Sequence, residues 1–225
     1  MDEAYEKVTK KRSKNVSIRV RIVEEAQITV CPYCNRDYIN CRGDNVAGAQ
    51  LDHFFSKSEY PIFAVCLYNL IPVCGNCNRI KSNKILEFVS PFDDTIDWEN
   101  DIVFTYKPKG IKGCQVVINA NGVLKNNVDE MKIRQAYEIH GREVEELLEK
   151  QIFYSDSQAE EFIKIFMGNE RNGDKGENNF KITSNYIKKM VFGPEITQKD
   201  MKTKPLAKML HDLHKELNIY PAKAK

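Results

Sequence analysis

The sequence predicts an α+β protein with a four-cysteine zinc knuckle, a small strand–strand–helix unit and a mostly helical C-terminal extension. Two Cys-x-x-Cys motifs and the short apolar segments between them predict the first two features. A helical spacing of apolar residues from about residue 129 onward predicts the third. The corresponding regions are 1–30 (basic N-terminal arm and helix), 31–90 (knuckle core), 91–128 (strand-containing connector) and 129–225 (helical region).

Composition excludes some classes of protein. The chain has 225 residues and a formal net charge of +2, which does not by itself indicate nucleic-acid binding. It has no run of roughly 18 apolar residues, the length that spans a membrane, and no visible secretory signal. We therefore expect a soluble, cytoplasmic protein whose seven cysteines bind metal or pack as small apolar residues.

The N-terminal region begins with a polar, basic arm. Lys10, Lys11, Arg12 and Lys14 fit either contacts to a nucleic-acid backbone or a solubilising chain end. Residues 16–27 allow a strand or a helix. The run from Glu24 to Gln27 favours the helix.

The two Cys-x-x-Cys motifs are Cys31/Cys34 and Cys74/Cys77. Each motif directs two thiolates toward one point, so two motifs complete a tetrahedral structural Zn²⁺ site. The intervening residues 35–73 form a longer gap than the roughly 15–20 residues of a compact zinc ribbon, which indicates an inserted unit. A disulfide or redox pair is the alternative, but a disulfide framework requires an oxidising compartment.

The inserted unit reads as two strands followed by a helix. Residues 51–55 predict a strand carrying Asp52 and His53, 70–73 a second strand, and 75–84 a short helix. Such a unit can bring Asp52, His53 and Asn78 together around a small metal site. Residues 36–41 are predicted to form a further strand, followed by a loop over 42–50.

These residues carry a family resemblance. Asp52-His53, the run from Asn69 to Cys74 and the run from Cys77 to Lys81 resemble the zinc-knuckle branch of the HNH, or ββα-metal, endonucleases over residues 31–84. The resemblance implies His53 as general base, Asp52 and Asn78 as ligands of a catalytic Mg²⁺ or Mn²⁺, and Asn69 as a brace for the histidine loop. Asn78 stands where many members have a third histidine.

The chemistry of these residue types agrees with that implication. Carboxylate and amide oxygens are hard ligands that suit Mg²⁺ or Mn²⁺. A histidine that is neutral near pH 7 can take a proton from water. Lys57 is the first candidate for a phosphate contact, with Arg79, Lys81 and Lys84 as further candidates.

The rest of the chain predicts strands over 102–107 and 114–120, a long helix over 129–150 and a helix over 157–167. A polar, glycine-rich segment covers 168–179. A last helix over 205–218 carries His211 and His214, which are predicted to face solvent, with a metal-binding pair as the alternative.

The overall layout is similar to the HNH subunit of Septu-type anti-phage defence systems. That resemblance implies a nuclease acting on nucleic acid, DNA by default with RNA left open, and a hetero-oligomer with an ABC-type ATPase. The alternatives are a stand-alone HNH restriction endonuclease, and a zinc-stabilised nucleic-acid-binding or scaffold module without activity.

Overall fold

The computed structural model describes residues 12–13, 16–84, 87–110, 113–154, 156–166 and 183–220. The described chain mixes helices with three two-stranded sheets and is compatible with the predicted α+β class. Its strands are β1 (Arg12–Ser13), β2 (Val16–Ser17), β3 (Gln50–His53), β4 (Leu70–Val73), β5 (Ile102–Pro108) and β6 (Cys114–Ala120). Its α-helices are α1 (Ile18–Glu25), α2 (Gly75–Lys81), α3 (Leu124–Glu130), α4 (Ile133–Ala136), α5 (Gly141–Phe153), α6 (Asp156–Phe166), α7 (Ser184–Phe192), α8 (Gln198–Thr203) and α9 (Ala207–Glu216). The predicted arm, apart from Arg12 and Ser13, and the polar segment 168–179 lie outside the described residues.

The N-terminal helix and the central hairpin form close to their predicted positions, although the helix spans only residues 18–25 and the first hairpin strand spans 50–53 instead of 51–55. Ser17 caps α1 by accepting a hydrogen bond from the Val20 amide, which resolves the strand-or-helix ambiguity in favour of helix. Strands β3 and β4 pair antiparallel, with Asp52 opposite Ile71 and His53 opposite Leu70. Helix α2 follows β4 directly, so the base of the hairpin and the helix start meet at Cys74.

The strand predicted over residues 36–41 is wrong. Only Tyr38 of this segment makes a strand-type bridge, to Val30. The backbone here instead closes the first knuckle, because the Cys31 amide donates to the Asp37 carbonyl at 2.9 Å and the Asn35 amide donates to the Cys31 carbonyl at 2.8 Å. Turn closure around the cysteines therefore replaces a regular strand.

The single long helix predicted over residues 129–150 is also wrong. The chain forms α3, α4 and α5 instead, and Lys132 takes a left-handed conformation between α3 and α4. Val128 and Ile133 are both buried, yet at about 100° per residue they would lie about 140° apart on one continuous helix. The turn at Lys132 lets both side chains enter the same core.

The helical C-terminal region packs against the first knuckle. Asn35 joins the two, because its side-chain amide donates to the Met201 carbonyl at 2.7 Å and its backbone carbonyl accepts from the Leu206 amide at 2.6 Å. The Tyr137 hydroxyl donates to the Cys34 carbonyl at 2.8 Å. Helices α7 and α8 were not predicted from the sequence, whereas α6 and α9 were.

One cluster of buried side chains joins the four knuckle cysteines to apolar residues of β4, β5, β6, α5 and α9. The knuckle is therefore part of the main core. No helix in the described part of the chain combines the length and the apolar character that crossing a bilayer requires.

Candidate active site and zinc centre

The four predicted cysteines converge on one point. Their Sγ atoms all lie within 4.8 Å of one another, and all four residues are buried. Four sulfur ligands about 2.3 Å from a single zinc ion would lie about 3.8 Å apart, close to the 4.0 Å between Cys34 Sγ and Cys74 Sγ. Among the described residues this is the only cluster of potential metal ligands of its kind, and its donors fit Zn²⁺.

The four thiols affect one another's pKa. A hydrogen bond from Cys34 lowers the pKa of Cys31, whereas contacts with the other three cysteines raise the pKa of Cys77. The thiols therefore cannot ionise independently of one another. A divalent ion at their centre would stabilise every thiolate.

His53 lies at the end of β3 beside the loop 54–69, which connects the two hairpin strands. Its Nε2 lies 3.0 Å from the Ala64 carbonyl oxygen. Since a carbonyl only accepts hydrogen bonds, Nε2 carries the proton and Nδ1 carries the lone pair in the neutral ring. Burial lowers the pKa of His53, and the charge of Lys57 lowers it further, so the neutral, proton-accepting form predominates at pH 7.

Asn69 ties together the two ends of that loop. It is buried, and its Oδ1 accepts from the Phe55 amide at 2.7 Å. Its Nδ2 donates to the Phe55 carbonyl at 3.0 Å and to the Phe63 carbonyl at 3.1 Å. Because Phe63 precedes Ala64, Asn69 fixes the segment whose carbonyl orients His53.

Asp52 faces α2 and forms a buried ion pair. Its Oδ2 lies 3.0 Å from Lys81 Nζ, and the exposed fractions of the Asp52 and Lys81 residues are 3% and 2%. The Tyr33 hydroxyl donates to the same carboxylate at 2.7 Å. Burial, followed by the Asp52 charge, raises the pKa of Tyr33 well above its usual value, so the phenol remains a donor.

This arrangement corrects two expectations. Lys81 Nζ also donates to the carbonyls of His53 at 2.9 Å and Phe54 at 3.2 Å, so Lys81 cannot contact phosphate from this position. The lysine ammonium occupies the oxygen-rich place beside Asp52 that a divalent cation would need. Residues Asp52 and Asn78 in this geometry therefore do not fit a preformed Mg²⁺ or Mn²⁺ site.

Asn78 interacts with Gln50, because its Nδ2 donates to Gln50 Oε1 at 2.8 Å. Gln50 and Asp52 are two residues apart on β3, so their side chains project to the same face of the strand. Asn78 and Lys81, one turn apart on α2, each contact one of them. The helix therefore packs on this face, and the Asn78 amide is held beside Gln50 rather than with the Asp52 carboxylate.

The other predicted phosphate contacts have different environments. Arg79 is exposed and donates to Asn76 Oδ1 at 2.9 Å. Lys84 Nζ donates to the Glu130 carbonyl at 2.8 Å and lies 3.3 Å from the Glu130 carboxylate. Lys57 is half-buried on the histidine loop, and its charge acts on His53.

The prediction that His211 and His214 face solvent is wrong for His214. That ring is buried, its Nδ1 has no hydrogen-bond partner in the described chain, and Tyr220 packs against it with ring centroids 5.6 Å apart. His211 is half-buried and hydrogen-bonds the Ile196 carbonyl through Nδ1 at 3.0 Å. His214 is buried because it lies next to Leu213, which α9 contributes to the apolar core together with Met209.

A cavity of about 600 Å³ borders the first knuckle and is lined largely by apolar side chains. Tyr33, Trp98 and Met201 contribute to its walls, and His53, Asn69 and Asn78 do not. The cavity is therefore separate from the histidine site.

No protein-family model, curated protein or solved structure matches the chain.

Proposed function

We propose that this protein is a hydrolytic endonuclease of the HNH type, in which His53 is the general base that activates water against a phosphodiester. The observation that carries the proposal is the contact between His53 Nε2 and the Ala64 carbonyl. His53 Nε2 is engaged by the Ala64 carbonyl at 3.0 Å, so the neutral ring accepts protons at Nδ1. The order of Asp52, His53, Asn69 and Asn78 around two Cys-x-x-Cys motifs supports the family assignment.

The proposed reaction is in-line hydrolysis. A water molecule transfers a proton to His53 Nδ1 while its oxygen attacks phosphorus. The bond from phosphorus to the leaving oxygen breaks, and the leaving oxygen takes a proton from solvent. Asn69 acts as a positioning residue, because its three hydrogen bonds hold the loop that orients His53.

The zinc centre would have a structural role. Four cysteine ligands leave no open coordination position, which is typical of structural rather than catalytic zinc. Zn²⁺ would fix Tyr33, which lies between Cys31 and Cys34 and donates to Asp52. The knuckle is thereby connected to the strand that carries His53.

The experiment compares the purified wild-type protein with His53→Ala and with His211→Ala as a matched histidine control. Plasmid DNA, single-stranded DNA and bulk tRNA are incubated with each protein, with Mg²⁺, with Mn²⁺ and with chelator. Cleavage by the wild type and by His211→Ala that is lost in His53→Ala supports the proposal. Cleavage that persists in His53→Ala overturns the assignment of the base.

We further propose that this protein is the effector nuclease of a Septu-type defence complex with an ABC-type ATPase. This proposal rests on the similarity of layout described above. Co-expression of the two chains followed by size-exclusion chromatography tests it, since a partner subunit should co-elute and alter the cleavage rate. Independent elution together with an unchanged cleavage rate would favour a stand-alone restriction endonuclease.

One observation favours a second candidate function, a zinc-stabilised binding module without activity. The Asp52 carboxylate is engaged by Lys81 and Tyr33, which suits a structural residue. Under this alternative all three proteins bind nucleic acid or a partner equally and none of them cleaves, with or without divalent ions or the ATPase.

A further inference from the structure

The histidine loop exposes an unusually apolar surface. Between residues 55 and 68 it presents the following exposed large apolar side chains: Phe55, Tyr60, Ile62, Phe63, Val65, Leu67 and Tyr68. We call this set the loop face. Tyr68 is 96% exposed and Ile62 is 82% exposed. Contiguous exposed apolar surface on a soluble protein commonly marks an interaction site.

The loop face lies near His53, the proposed general base. Ala64, whose carbonyl orients His53, is flanked in sequence by Phe63 and Val65. Residues 61–63 and 67–69 form short 3₁₀ turns, and Asn69 fixes the ends of the loop. The loop face therefore includes both sequence neighbours of the residue whose carbonyl contacts His53.

Three of the aromatic rings of the loop face support one another. Phe55 packs against Tyr60 and Phe63, with ring centroids 5.5 Å and 5.8 Å apart. Tyr60 and Phe63 stack at 6.4 Å. The resulting ridge is a preformed aromatic platform, since its rings hold one another in place.

We propose that the loop face binds the unpaired bases of a single-stranded nucleic acid, so that the substrate class is single-stranded DNA or RNA. This inference rests on the proposed nuclease function. Apolar rings stack on the faces of unpaired bases, whereas bases in a duplex already stack on one another and present phosphates outward. Lys57, the only basic residue between 54 and 69, can contact the phosphate next to His53.

The position of the loop face argues for substrate over a protein partner. A protein docked on Tyr60, Ile62 and Phe63 would cover the surroundings of the Ala64–His53 contact and exclude the phosphodiester. A nucleic-acid strand would instead bring its phosphate to His53 while its bases occupy the rings. We therefore assign the loop face to the substrate, because it lies near His53.

The test measures binding in the His53→Ala protein, which isolates affinity from cleavage. Labelled single-stranded DNA, RNA of the same sequence and the corresponding duplex DNA are titrated by fluorescence anisotropy. Adding Tyr68→Ala should weaken single-strand binding about tenfold, which corresponds to about 1.4 kcal/mol, with little effect on the duplex. Adding Tyr38→Ala, which removes another exposed tyrosine outside the loop, should leave both affinities unchanged.

Several outcomes overturn the inference. Equal single-strand affinity with and without Tyr68→Ala removes the loop face from binding; if wild-type protein still cuts duplex DNA, the nuclease proposal survives this failure. Failure of the wild type to bind or cleave any nucleic acid removes both proposals. Concentration-dependent dimerisation that Tyr68→Ala abolishes, with nucleic-acid affinity unchanged, would identify the face as a self-association surface. The DNA and RNA arms distinguish the two sources of unpaired bases.

Discussion

Lys81 Nζ lies 3.0 Å from Asp52 Oδ2 in the core, and both side chains are almost completely buried. Removing one partner of such a pair leaves an uncompensated buried charge, which costs about 3–5 kcal/mol. We therefore expect Lys81→Met to lower the free energy of unfolding by that amount, measured by urea denaturation. The double variant Asp52→Leu/Lys81→Met should be more stable than Lys81→Met alone. A free energy for Lys81→Met within about 0.5 kcal/mol of wild type would show that the ion pair does not form in solution.

The same pair predicts competition between Lys81 and divalent cations. The ammonium lies among the Asp52 carboxylate and the carbonyls of His53 and Phe54, which are the hard oxygen donors that Mn²⁺ also uses. Mn²⁺ titrations followed by electron paramagnetic resonance should therefore give weaker binding in the wild type than in folded Lys81→Met. Asp52→Asn/Lys81→Met is the control and should lose the gained affinity. Equal Mn²⁺ affinity in the wild type and Lys81→Met would refute competition at this position.

A zinc ion bound at the four knuckle cysteines would contribute to the stability of the fold. Structural zinc sites contribute about 10–16 kcal/mol of binding free energy in small zinc-finger peptides, and here the four cysteines belong to the main core. Cys74→Ser should therefore reduce the zinc content and lower the melting temperature sharply. Cys41→Ser, which changes a half-buried cysteine outside the cluster, is the matched control and should retain zinc. Zinc measured by atomic absorption at wild-type levels in Cys74→Ser would contradict the four-cysteine assignment.

Local sequence signals located the knuckle and the hairpin, because ligand spacing and strand-length apolar runs are short-range properties. The bounds of β4 match the predicted segment 70–73, and the four cysteines converge as their motifs require. Local sequence signals do not predict the burial of Lys81. A lysine on the basic side of a short helix normally faces solvent, and only the packing of α2 on β3 directs it to Asp52. The break at Lys132 likewise depends on which surfaces the tertiary fold buries.

His214 predicts a pH dependence of stability. Burial lowers its pKa to about 4 from the ordinary value of 6.5, with His211 and Lys150 adding to the effect. The unfolded chain therefore binds more protons than the folded one between about pH 6.5 and about pH 4, and stability falls as the pH falls through that window. His214→Phe keeps a ring against Tyr220 and should lose less of its melting temperature between about pH 7 and about pH 5 than the wild type does. His211→Gln removes the second cause of the lowered His214 pKa, so its loss should lie between those of the wild type and His214→Phe. An identical loss in wild type and His214→Phe would eliminate His214 as a source of the pH effect.

Asn69 links the stability of the histidine loop to the proposed catalysis. Asn69→Ala leaves the Phe55 amide and the carbonyls of Phe55 and Phe63 without their side-chain partner, and each buried group left unpaired costs about 1–3 kcal/mol. We expect a destabilised protein that keeps its zinc, because none of these contacts involves the knuckle.

The cleavage rate of Asn69→Ala should fall by more than the decrease in its folded fraction explains, since the Ala64 carbonyl no longer holds His53 Nε2 in a fixed position. Asn69→Asp retains the acceptor for the Phe55 amide but loses the two hydrogen bonds that Nδ2 donates. It therefore separates the effect of the accepted hydrogen bond from the effect of the donated ones. Comparing kcat for the folded fraction of each variant with hydrogen exchange of the Phe55 amide measures this coupling. Slow exchange with lost activity in Asn69→Asp would assign the positioning role to the two amide donors. Wild-type kcat in folded Asn69→Ala would instead show that His53 needs no brace from Asn69.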